Sequence, residues 1–376
     1  MLSLLLLKTV LISVTARYIS WDSGCHVDPK CNNDHNECLI GDDSCWYTNN
    51  FEDQRTAVSA KLGEDGTKVY SLLAITDMDE NSSGDKWTWR AVTRKANLSI
   101  NEDGTNVTIT WITGSDKNLT TNLNYKGRAM ELSDISEFAG RLLSPDDKTG
   151  MLYDIKTGKA VPWLFLNSGP GNTTKGMKAE WTTVFGGHLI VGGHGTEYRN
   201  QTSGAVLTED PMWIKVITNS GEVRSCDWRY IYKRFRRFVN LTGTGAYLTH
   251  EAAQWSSFHQ KWFFLPRRES NTTYNEEEDE KKGTNLMIIG NPNLTDFEAV
   301  RIGNISNSAR GHSAFEFIPG TNDTLIVALK SEEIRRNKSS HAKSFITVFN
   351  ISGYILLDDQ ELADDYKFEG LYFVDW

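Results

Sequence analysis

The chain lacks the short motifs that mark the common phosphate and hydrolase sites. Its glycine-rich stretch Gly192-Gly193-His194-Gly195 follows a strand pattern but opens no helix, so it is not a phosphate loop of the Walker or Rossmann kind. There is no Gly-x-Ser-x-Gly elbow and no His-Glu-x-x-His pair, and whatever chemistry the chain performs proceeds without those devices. A basic stripe is missing too: 40 Lys and Arg stand against 49 Asp and Glu, a net charge of -9, which excludes a polymer of nucleic acid as partner. Beyond the N-terminus no apolar run is long enough to span a bilayer, so no stable membrane insertion is expected.

Cysteine is sparse and unevenly placed. Four of the five, Cys25, Cys31, Cys38 and Cys45, crowd into an Asn/Asp-rich arm, 17–65, that has no strand pattern. Disulfides are the reading favoured there over a metal site with His26 and His35, and Cys226, the odd one, either joins an arm cysteine or stays buried and free. Met1 to Ala16 reads as a secretory signal, with an uncleaved anchor as the alternative. Thirteen Asn-x-Ser/Thr acceptors, at Asn81, Asn97, Asn106, Asn118, Asn172, Asn200, Asn240, Asn271, Asn293, Asn304, Asn322, Asn337 and Asn350, independently predict a secreted, extracellular glycoprotein.

What is present is a repeated hairpin. Ser133, Glu180, Glu251, Ser313 and Glu369 each open a half-alternating strand that leads through a turn into a second apolar strand and then a charged cluster. The openings are spaced 47, 71, 62 and 56 residues apart, and the last runs into the C-terminus before its second strand. Val69 to Ile75, near the other end, supplies a matching strand, so the two termini complete one sheet. This predicts an all-β, five-bladed β-propeller over 66–376, its ring closed by N- and C-terminal strands, in preference to an open β-sandwich.

The first strand of each blade lines the channel of a propeller, so the five opening residues converge. Glu180, Glu251 and Glu369 meeting in a narrow channel would repel unless a cation joined them. Ca²⁺ suits an all-oxygen set of Glu with Ser133 and Ser313, whereas the absence of Cys and His argues against Zn²⁺. The second strands end in clusters expected to ring one mouth: Asp77 and Asp79, Asp146 and Asp147, Glu197, Arg267 and Arg268, and Lys330 with Glu332 and Glu333. Such a rim suits a phosphorylated small molecule, with Asp77, Asp147 and Glu197 orienting water and Arg268 and Lys330 gripping phosphate. The charge run 274–282 reads as a solvated loop, and Ile231 to Val239 as a short surface helix.

The runs Gly127-Arg-Ala-Met-Glu-Leu-Ser-Asp, Lys178-Ala-Glu-Trp, His250-Glu, Phe263-Phe-Leu-Pro-Arg-Arg, Ile326-Val-Ala-Leu-Lys-Ser-Glu-Glu and Phe368-Glu-Gly resemble the calcium-activated nucleotidases, an apyrase family that includes secreted enzymes of blood-feeding animals. The likeness runs from about residue 66 to the C-terminus. It implies a central calcium on the five opening residues and hydrolysis of nucleoside di- and triphosphates (ADP, ATP, UDP, GDP) to the monophosphate, removing extracellular nucleotides. One departure is Tyr198, expected at the substrate, where the family pattern has Trp; nucleotide base preference stays open. A calcium-stabilised binding or adhesive propeller and a propeller glycosidase are the rival readings, separated from the first by phosphate release from ADP.

Overall fold

The computed structural model describes residues 58–200, 202–305, 307–336 and 339–375. The expected leader, the four arm cysteines and the Asn337 acceptor lie outside the described residues. Five antiparallel sheets follow one another along the chain, and their first strands are Ser136–Phe138, Trp181–Phe185, Tyr247–Ser256, Arg310–Phe317 and Phe368–Phe373. In each of the first four sheets, four strands lie in sequence order. This is a five-bladed β-propeller, as the repeat predicts.

The fifth sheet is built from both ends of the chain. Phe368–Phe373 pairs with Lys68–Thr76, in the register Leu72 to Phe373 through Ile75 to Gly370, and Trp89–Ile100 and Val107–Trp111 continue the blade. The chain joins this sheet at Lys61–Leu62, ahead of the boundary at 66 that the sequence suggests. At the closure Gly370 packs so tightly that a Cβ would stand 2.8 Å from the Asp134 backbone and 2.7 Å from Ile75.

Five apolar cores fill the spaces between neighbouring blades, one per interface. This explains the unbroken apolar run Trp262-Phe263-Phe264-Leu265. Successive side chains of a strand point to opposite faces, so Trp262 and Phe264 enter the core shared with the preceding blade while Phe263 and Leu265 enter the core shared with the next. The hairpin turns follow from backbone freedom: Ala139 and Gly140, at φ 50 and 74, and Gly186 and Gly187, at φ 56 and 79, supply the paired left-handed residues of tight two-residue turns.

Two local expectations are corrected. The basic segment is a helix, Arg229–Phe238, but not a surface one: Ile231, Tyr232, Phe235 and Arg236 are buried, because the aromatic stripe packs into the core between two blades. The acidic run is only partly a solvated loop. It forms a short helix, Glu276–Asp279, whose last residue turns back to accept a hydrogen bond from the Tyr247 hydroxyl at 2.6 Å. The Gly192-Gly193-His194-Gly195 run serves packing: a Cβ on Gly192 would fall 1.9 Å from the Trp181 ring. No helix among the described residues is long and apolar enough to cross a membrane.

Candidate functional site

The five opening residues are placed by irregular backbone. In the register of the inner strands, Glu251, Ser313 and Glu369 each fall at a shift: His250 pairs with Pro266 and Ala253 with Phe264, His312 with Lys330 and Ala314 with Leu329, and Phe368 with Thr76 and Gly370 with Ile75. A bulge re-aims a side chain that regular pairing would send to a sheet face. Glu180 and Ser133 take the corresponding place just before their strands, donating backbone N–H to Gly192 and Pro145 at 2.8 and 3.1 Å. Glu180, Glu251 and Glu369 line one cavity of about 420 Å³ at a mouth of the channel. Ser133 and Ser313 are buried and are not among the residues lining that cavity; Ser313 Oγ donates to the Phe368 carbonyl at 3.1 Å and Ser133 Oγ has no hydrogen-bond partner.

Three cations, buried Arg267 and Lys367 and half-buried Lys178, knit the carboxylates together. Arg267 donates to Glu251, to Glu369 Oε1 at 2.8 Å and to Glu333 Oε1 at 2.6 Å. Lys367 Nζ stands 2.7 Å from Asp77 Oδ2, 2.9 Å from Asp79 Oδ2 and 3.3 Å from Glu369 Oε1. Lys178 bridges Asp147 and Glu180, the latter at 2.6 Å. Burial, opposed by Lys178 and reinforced by Glu251 and Asp147, still pushes Glu180 up to about 8. Burial likewise drives Glu369 well above its ordinary value despite Lys367 and Arg267.

The rim residues divide. Asp77 and Asp147 line the cavity. Burial, with Asp79 beside it and Lys367 opposing, raises Asp77 to about 6. Asp146 instead turns inward, accepting from the Met130 and Lys148 amides at 2.9 and 3.0 Å. Glu197 lines the cavity with both oxygens held by Arg236, at 2.8 and 3.0 Å; burial would raise it, but this pair keeps it below the ordinary carboxylate range. Arg268 lines the cavity, its Nε without a hydrogen bond, 3.7 Å from Asp279 and pushed down by burial and by Arg267 next to it.

Lys330 does not reach the cavity. It lies three residues from Glu333 on one strand, hence on the opposite face, and pairs with Asp359 at 2.7 Å. Tyr198 lines the wall edge-on to His194, ring centroids 5.3 Å apart, with Lys175 5.1 Å over its face. Tyr247 and Tyr274 continue that wall, centroids 5.8 Å apart.

Sequence reading missed Lys178, Lys367, Glu131, Arg128, Arg236 and the tyrosine pair. For the two lysines a signal exists: Lys178-Ala-Glu180 and Lys367-Phe-Glu369 repeat Lys-x-Glu at the same place in two blades. Residues two apart in extended chain share a side, so each lysine faces its glutamate.

A propeller whose inner-strand bulges aim carboxylates into a cation-laced funnel defines a class of polar, metal-suited small-molecule site. A family model described as Apyrase matches residues 76–374. The chain is 45% identical over 84% of its length, and 87% of the other, to "Apyrase apy-1" of Caenorhabditis elegans. It is 39% identical to "Soluble calcium-activated nucleotidase 1" of Rattus norvegicus, over 81% of this chain and 74% of that one. With an "Apyrase" of Cimex lectularius it shares 36% identity, over 83% of this chain and 84% of the other. The chain belongs to the apyrase family and is a hydrolase of nucleotide phosphoanhydrides.

Proposed function

We propose that the chain is a secreted, Ca²⁺-dependent apyrase that removes extracellular nucleotides, cleaving nucleoside di- and triphosphates to the monophosphate and phosphate. The observation that carries this reading is the convergence of Glu180, Glu251 and Glu369 from three blades into one cavity. The donor set fits a hard cation: it is all oxygen, burial makes Glu180 and Glu369 resist ionisation where they stand, and Ser133 Oγ is buried without a partner. Glu180, Glu251 and Glu369, with Ser133 and Ser313, would hold the calcium, which supplies positive charge at the base of the site when bound. The calcium named in the Rattus norvegicus relative supports the same reading. Secretion is supported by the described acceptor asparagines, none of which is buried.

Hydrolysis needs a water in line with the leaving oxygen and cations on the transferring phosphoryl group. Of Asp77 and Asp147, on the cavity wall, one orients or deprotonates that water while the other holds the water shell of a metal. Arg268 grips the phosphates: a guanidinium disfavoured by burial and by its neighbour Arg267 gains most from an anion. Tyr198, in the wall, faces the nucleoside, and Glu197, expected with the acids that orient water, has both oxygens fixed by Arg236 and is assigned instead to accept hydrogen bonds from the nucleoside.

Phosphate release from ADP, ATP, UDP and GDP, with Ca²⁺ and with EGTA, tests the reading. Calcium-dependent release from the diphosphates is expected. A folded, calcium-stabilised protein that releases no phosphate from any of them would leave a binding propeller instead.

A further inference from the structure

A second group of acids stands beside the ring and shares no residue with it. Carboxylate oxygens of Asp77, Glu131 and Asp147 all lie within 4.8 Å of one another. Their relative exposures are only 2%, 2% and 9%, so water does little to screen them. Backbone structure holds them in place: Asp77 and Glu131 face each other in an antiparallel bridge, and the Asp147 amide donates to the Glu131 carbonyl at 3.0 Å. Met130, just before Glu131, has φ 60, a conformation a bulky side chain adopts only under constraint, and its amide is tied to Asp146 Oδ2.

Lys367 pairs with Asp77, whose other oxygen accepts from the Asp79 amide at 2.8 Å; Arg128 forks across both oxygens of Glu131 at 2.7 and 2.6 Å; and Lys178 pairs with one oxygen of Asp147. Asp147 nevertheless has its Oδ1 buried without any hydrogen-bond partner. A buried carboxylate oxygen with no donor is an unmet acceptor, and here it belongs to a carboxyl group facing two others. All-oxygen donors at this spacing suit Ca²⁺ or Mg²⁺.

The cavity as a whole points the same way. Its lining has nine carboxylates against five Lys and Arg, so a polyphosphate arriving with no metal of its own would enter a site of like charge. One calcium in the ring leaves that imbalance only partly offset. Asp77 and Asp147 are on the cavity wall, and Glu131 stands behind them.

We propose that Asp77, Glu131 and Asp147 form a second divalent-cation site, separate from the five-residue ring, which takes the cation that accompanies the nucleotide's phosphates. The link to nucleotide rests on the function proposed above, while the cation site itself does not. Glu131 thereby becomes a binding residue that holds the cation from the side away from substrate.

Equilibrium dialysis of radioactive Ca²⁺ against the full chain, without nucleotide, tests the site. Binding of a second ion is expected, weakened at least about tenfold in Glu131→Gln and in Asp147→Asn, with the first ion retained in both. Glu180→Gln has the opposite effect: it weakens the first ion. A wild-type stoichiometry of a single ion, or a second ion unaffected by Asp147→Asn, overturns the proposal. If Glu131→Gln fails to fold because Arg128 loses its partner, Asp147→Asn decides alone. Phosphate release by the same wild-type sample separates the readings: a single ion with intact release sinks only the second site, and a second ion without release sinks only the nucleotidase reading.

Discussion

At the scale of single residues, the site is a set of buried charges in which each member depends on its partners. Asp77 and Asp147 line the cavity without belonging to the ring. Asp77→Asn and Asp147→Asn should each lower kcat by about a hundredfold or more, as loss of a general base does, while the rise in Tm on adding calcium to the ring persists. Near-wild-type turnover in both would remove them from the mechanism. Arg267 has the opposite character, since it is fully enclosed by Glu251, Glu333 and Glu369. Arg267→Met leaves three carboxylates without their common cation and should destabilise the protein by about 3–5 kcal/mol in urea unfolding, with saturating calcium recovering part of the loss. A lysine there reaches only part of the set, because it lacks the forked donors.

At the scale of elements, the inner strands do two jobs that pull against each other. Their regular stretches pack into the cores, and their bulges aim Glu251, Ser313 and Glu369 at the axis. The two functions separate along one hairpin. Phe264→Ala, in the core between two blades, should cost about 3–5 kcal/mol of stability with KM little changed, measured on protein still folded at low temperature. A large rise in KM at unchanged stability would mean that this core face shapes the cavity directly. The helix Arg229–Phe238 shows why composition misleads: its basic residues suggest solvent, but a stripe of Ile231, Tyr232 and Phe235 outweighs them and carries Arg236 inward to Glu197.

For the whole molecule, electrostatics couples stability to pH and metal. Glu180 and Glu131, both raised to about 8 chiefly by burial, hold protons in the fold that the unfolded chain releases near 4.5. Their contribution is therefore fully present below pH 4.5 and is lost as pH rises through about 8. In EGTA the Tm should fall along that rise, whereas calcium requires the ionised carboxylates, so the gap in Tm between calcium and EGTA should widen from pH 5 to 8. A gap independent of pH would contradict it. On the acid side His250 and His312, lowered to about 3 by burial, contribute stability that is present above 6.5 and lost as pH falls toward 3. His312→Gln should flatten that acid limb of the Tm curve.

The sequence by itself determined the blades, because alternation with a period of two, tight glycine turns and continuous apolar second strands are local and repeat along the chain. It also located Glu180, Glu251 and Glu369, since equivalent places in repeated hairpins meet on one axis once the ring closes. Only the tertiary structure decided which charges share a cavity. Lys330 and Glu333 belong to one charged cluster in sequence, but strand alternation sends Lys330 away to Asp359. Glu131 and Arg236 come to the site from segments with no repeat signature, one through a bridge to Asp77 and the other through a buried helix. The reason is physical: hydrophobic patterning is written in neighbouring residues, whereas the energy of a buried charge depends on partners hundreds of residues away, such as Lys367 for Asp77.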